Sequence, residues 1–162
     1  MGVTVNLLKQ MISGEPLSPT DFSGSVHHAA AGYLGIAAGN RHPMRAVAGG
    51  AESFCYGFLD AVGLLADSPA VPVLLIAAED QVPPPFDASA EAIDAPAYAA
   101  AFLLTRGASK DSPTVSLKIQ PSAGASTPAR VGIPALDFLQ WLDMEKQSFE
   151  ICFAQKRWRW EK

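Results

Sequence analysis

One stretch constrains this chain more than any other. Residues 43–66 read PMRAVAGGAESFCYGFLDAVGLLA, an apolar segment, a Gly49-Gly50 pair, and then apolar residues at helical spacing. Met44 to Ala48 predicts a short strand. The glycines predict a sharp turn, because only glycine enters the left-handed region without steric cost. Phe54, Phe58, Leu59, Val62 and Leu65 recur at three- and four-residue intervals and predict a helix over 51–66 with a broad apolar face. Strand, glycine turn and helix is how α/β folds present chemistry, since the free amides of the first helical turn favour negative charge. The residue at the top of the turn is Ala51, followed by Glu52 and Ser53, with Cys55 one turn further on. A methyl group supplies no nucleophile.

Around this centre the chain predicts alternating elements. Val3 to Ser13 reads as a helix ended by Gly14, and residues 15–23 as a proline-punctuated loop. Ser25 to Ala38 is so rich in Ala and Gly that it predicts a helix buried against another backbone. Val71 to Ala78 is a continuous apolar run, expected of a strand covered on both faces. Residues 81–96 and 121–132 read as loops, Tyr98 to Thr105 as a buried strand and Pro113 to Ile119 as a half-exposed one. Pro134 opens a helix with Leu136, Leu139 and Leu142 inward, and Phe149 to Trp160 predicts one closing strand. The order implies a single layered α/β domain over residues 1–162, without an internal repeat.

Composition narrows the function. A net charge of -4 lacks the clustered Lys and Arg that nucleic acid requires, and no run reaches the length of a membrane span. The terminal KRWRWEK is isolated in an acidic chain and reads as an edge strand or an interface with Arg-Trp stacking. The N-terminus lacks a signal-peptide pattern, and the two cysteines, Cys55 and Cys152, lack metal spacing, so a cytoplasmic setting is expected. Low charge with 49% apolar residues also fits a large buried interface with another subunit.

Each reactive side chain has a plainer reading beside it. His27 and His28 are adjacent, point about 100° apart on a helix, and cannot share a metal from one face, so a capping or cross-chain hydrogen bond is preferred. Cys55 sits among aromatics and reads as a small buried hydrophobe. Ser53 lacks the flanking glycines of a serine-hydrolase elbow and reads as a helix cap. Glu52 either repels anions or complements the positive helix end.

SPTDFSGSVHHAA, followed by Pro43 and the strand-turn-helix, resembles the beta-ketoacyl synthase family of the thiolase-like fold. Eight residues on from Pro43, where that family carries its catalytic cysteine, this chain has Ala51. The run Ser53-Phe54-Cys55-Tyr56-Gly57-Phe58-Leu59-Asp60-Ala61 and the closing Trp158-Arg159-Trp160 resemble, more narrowly, ketosynthase-like chain-length factors found beside aryl polyene synthesis enzymes. The resemblance implies a thiolase-like layered α/β/α half-domain with a mixed sheet, lacking the first β-α unit of its relatives. It implies a non-catalytic subunit without cofactor or metal, partnered by an intact ketosynthase and an acyl carrier protein in polyene, polyketide or fatty-acid-like synthesis. Partner- or substrate-binding residues would be His27, His28, Gly49, Gly50, Glu52, Phe54, Tyr56 and Phe58, the aromatics lining or blocking a tunnel. The alternative is a stand-alone acyl-thioester hydrolase or transferase using Cys55 or Ser53.

Overall fold

A computed structural model describes residues 2–80, 96–107, 110, 112–122 and 132–162. They fall into two compact units, the first made of residues up to 47 and the second of those from 48 onward. The expected loops lie mostly outside the described residues, at 81–95 and 123–131.

The first unit is helical. α1 spans Gly2–Ser13, α2 Pro19–Ser25 and α3 Ala29–Ala38, with α2 packed on both of the others. The expected loop over 15–23 therefore contains a helix. Pro19 occupies its first turn, where the missing N–H is no loss, and Ser18 Oγ accepts from the Asp21 amide at 3.3 Å. α2 ends at Ser25, so His27 and His28 lie in a turn before α3 instead of inside one long helix. α3 is not buried as expected. Gly35 alone is covered, by the Met44 side chain, and Ile36 is 80% exposed. Ala29, Ala31 and Gly32 are only partly buried among the described residues. Residues 43–48 form coil and not the expected strand over 44–48: among the described residues no neighbouring strand pairs with them.

The second unit holds α4 (Ser53–Asp67), β1 (Val73–Glu79), β2 (Tyr98–Leu104), β3 (Ser116–Pro121), α5 (Pro134–Leu142), β4 (Ser148–Cys152) and β5 (Lys156–Glu161). The α/β class is as the sequence implied. The mixed sheet is replaced, among the described residues, by two antiparallel ones, β1-β2 and β3-β5-β4. α4 packs on β1 and α5, and α5 also meets β2 and β4, so the helices join the two sheets. Among the described residues β1 is covered on one face only. Leu75 and Ala77 pack inward with Ala100 and Phe102, while Leu74 and its cross-strand partner Leu103 stay exposed.

The closing strand is a hairpin. Cys152 pairs with Arg157, and the Phe153 amide reaches Lys156 O at 2.8 Å across the turn. β5 is the central strand of its sheet, not an edge: alternation sends Trp158 and Trp160 inward and Arg157 and Arg159 outward. Outside, Arg159 bonds Glu150 at 3.0 Å and Glu161 at 2.7 Å, and Lys118 also reaches Glu161, holding its carboxyl below the usual range. α5 buries Ala135, Phe138 and Trp141, whereas Leu139, expected inward, is exposed. Phe138 is the hub of an aromatic core, its ring centroid 5.3–6.1 Å from those of Phe54, Phe58, Phe102, Trp141, Phe149 and Trp160. No helix among the described residues is long and apolar enough to cross a membrane.

Candidate functional site

The turn at 49–51 belongs to the second unit and is built as its sequence implies. Gly50 has φ +58°, a conformation costly for any side-chain-bearing residue. Glu52 N reaches Gly49 O at 3.2 Å and Ser53 N reaches Gly50 O at 3.1 Å, starting α4. Ser53 is the first helical residue and makes no cap; Glu52 holds the N-cap position without a side-chain cap bond. The Ser53 hydroxyl turns back instead. It accepts from Gly49 N at 3.0 Å and donates to Gly50 O at 2.6 Å, so its proton and a lone pair are both committed to the turn. Ala51 presents an exposed methyl at the apex.

The N-cap of α4 and one side chain within the helix meet β5 beside this turn. Glu52 Oε2 accepts from Trp158 Nε1 at 2.8 Å. Tyr56 packs edge-on against Trp158, centroids 5.2 Å apart at 81°, and its hydroxyl accepts from the Lys156 ammonium. That bond holds the Lys156 pKa above the ordinary lysine value. The Tyr56 ring also sets Gly49: a Cβ built there would lie 2.7 Å from Tyr56 Cδ2. At Gly49 it is this contact, and at Gly50 the positive φ, that favours glycine.

Cys55 points the other way. It is fully buried, and desolvation, then the Glu52 carboxylate, pushes its thiol from 9.0 up to about 12. Phe54 and Phe58, expected at a tunnel wall, lie in the aromatic core; among the three aromatics Tyr56 alone is partly exposed. His27 and His28 belong to the other unit and are exposed. His28 holds the N-cap position of α3 without a side-chain cap bond. Among the described residues, no group of three His, Cys, Asp or Glu side chains could hold a metal ion.

The structure thus brings Gly49, Gly50, Ala51, Glu52, Ser53 and Tyr56 together. It adds Lys156 and Trp158, which sequence reasoning did not attach to the turn. Their signal was the alternation of KRWRWEK, which sends residues 156, 158 and 160 to one face.

The family model described as beta-ketoacyl synthase, N-terminal domain, matches residues 1–161. This chain belongs to the beta-ketoacyl synthase N-terminal domain family. A solved structure titled "Ketosynthase (ApeO) in Complex with its Chain Length Factor (ApeC) from Xenorhabdus doucetiae" holds a chain 26% identical, with a TM-score of 0.76. The match covers 99% of this chain and 64% of that one, so this beta-ketoacyl synthase family member spans 64% of its relative's length. The layered α/β arrangement is accordingly that of the thiolase-like ketosynthase fold. No curated protein matches. The family resemblance read from SPTDFSGSVHH and the residues after Pro43 is borne out, although residues 44–48 form no strand.

Proposed function

We propose that this chain is a non-catalytic, chain-length-factor-type subunit. It pairs in the cytoplasm with an intact ketosynthase as a heterodimer, and meets an acyl-carrier-bound chain growing by aryl polyene, polyketide or fatty-acid-like synthesis. The observation that carries this reading is the state of the turn. Ala51 stands at the position counted from Pro43 as the family's nucleophile, the neighbouring Ser53 hydroxyl is committed to Gly49 and Gly50, and the Cys55 thiol is buried with its pKa near 12. A nucleophile needs an exposed atom and a base within about 3 Å, and neither Ser53 nor Cys55 offers that combination. The chain is a pseudoenzyme in this reading, and carbon–carbon bond formation takes place on the partner.

Three further observations support it. The relative in the comparison comes from a ketosynthase–chain length factor complex. The family match over residues 1–161 favours one domain, and the exposed apolar residues of each unit, such as Tyr33 and Ile36 in the first and Leu74, Ile76 and Leu103 in the second, suit a subunit interface. In this reading His27, His28, Gly49, Gly50 and Glu52 lie toward the partner or the acyl chain. Co-expression with a ketosynthase tests the proposal. Co-purification, with product length changed when this chain is omitted, is expected. Separate elution with unchanged products, including elution as a homo-oligomer, overturns it.

A further inference from the structure

The KRWRWEK segment has no part in the reading above, and the structure gives it one. A turn that delivers no nucleophile has no chemical reason to keep a fixed shape. Yet two β5 side chains, at least 100 positions away in sequence, close on Glu52 and Tyr56, which follow it at the start of α4. We infer that Trp158 and Lys156 are positioning residues for the Gly49–Ala51 turn, acting through Glu52 and Tyr56. The proposal rests on the proposed function only in giving the turn a purpose, presentation of its backbone to a partner.

The physical chain is short. Trp158 is fully buried, so its indole is fixed, and its N–H pins a carboxylate at the helix N-cap by a charge-assisted bond. The same indole holds the Tyr56 ring edge-on, and Lys156 fixes the hydroxyl at the ring's far end. The ring then limits where Gly49 can go, since it leaves no room for even a Cβ. Gly49 N in turn bonds Ser53 Oγ, whose proton binds Gly50 O. Pulling either β5 residue away frees Glu52 or Tyr56 first and the turn second, while the aromatic core around Phe138 stays closed.

Amide hydrogen exchange on the full chain reads this directly, and needs no partner. Glu52→Leu removes the acceptor at a partly exposed position, and Glu52→Gln restores one. Glu52→Leu, and likewise Trp158→Phe, should raise exchange at Gly49 and Ser53 by about tenfold or more, the effect of losing one hydrogen bond to a charged group. The β1–β2 amides should change less than about twofold, and Glu52→Gln, which keeps an acceptor without its charge, should fall between wild type and Glu52→Leu. Lys156→Met should act on Gly49 more than on Ser53. Unchanged exchange at the turn in Glu52→Leu, or a rise spread equally over β1–β2, overturns the inference. So does Glu52→Gln behaving as Glu52→Leu does. A chain that passes this test and binds no ketosynthase refutes the proposed function and leaves the positioning role standing.

Discussion

Alkylating the native chain with iodoacetamide at pH 8 separates a buried structural cysteine from a working nucleophile. With its pKa at about 12, Cys55 is thiolate in about one molecule in 10,000 at that pH, whereas an ordinary thiol near 8.5 is about one quarter thiolate. That is a deficit of about 2,000-fold. A more basic thiolate is the better nucleophile, and a Brønsted slope of about 0.4–0.5 over this gap returns about 30-fold. The remaining deficit is about two orders of magnitude, before counting the full burial of the sulfur, which slows the reagent further. Cys152, partly exposed at the end of β4, is the internal reference. Peptide mass spectrometry should find Cys152 modified at least about 100 times faster than Cys55 in the folded chain, and the two at similar rates in denaturant. Equal labelling in the folded chain would refute the burial argument and reopen Cys55 as a catalytic thiol.

Other outcomes follow from the same contacts. Phe138→Ala removes the ring at the centre of the aromatic cluster and should cost about 3–5 kcal/mol in urea unfolding. Lys162 Nζ donates to the carbonyls of Trp141, Leu142 and Met144 at 2.6–3.0 Å and lies 4.9 Å from the Trp141 ring, so it closes the C-terminal end of α5. Lys162→Met should therefore lower stability by about 1 kcal/mol. Gly49→Ala forces a methyl toward the Tyr56 ring and should cost about 1–3 kcal/mol, with part of the loss recovered when Tyr56→Ala is added. The raised Cys55 pKa means the folded state keeps a proton that the unfolded chain gives up from pH 9 upward. Its stabilisation is complete below pH 9 and lost as the pH rises toward 12, so the urea midpoint of the wild type should fall faster over pH 8–10.5 than that of Cys55→Ala.

The legible parts of the sequence were those where one element decides its own form. α4 followed from the spacing of Phe54, Phe58 and Leu65, and β2 from an apolar run bounded by loops. The misreadings share a cause. α2 was hidden because Pro16 and Pro19 look like loop punctuation, although Pro19 behind a Ser18 cap is a helix start. The β4–β5 hairpin was hidden because its turn, Phe153-Ala154-Gln155, has neither Gly nor Pro, and the apolar alternation on either side runs on through it. Residues 44–48 have strand composition, but a strand is defined by a neighbour, and composition cannot supply one. α5 selects Phe138 and Trp141 over Leu139 because ring area outweighs a leucine on the competing stripe.

The candidate site divides the same way. The turn itself, Gly49 to Ser53, was readable because its backbone demands are local. The Glu52–Trp158 and Tyr56–Lys156 ties were not, since each joins residues at least 100 positions apart whose meeting depends on β5 being a central strand. Phe54 and Phe58 looked like a tunnel lining when read as a cluster with Tyr56. On a helix packed against α5, positions 54 and 58 turn to the core together and position 56 does not.

The most direct measurement is intact-mass analysis of this chain and a ketosynthase incubated together with an acyl-loaded carrier protein. The proposed division of labour predicts an acyl adduct on the ketosynthase alone, with this chain at its unmodified mass whether the partner is present or absent. An acyl adduct on this chain, mapped to Ser53 or Cys55, would contradict it.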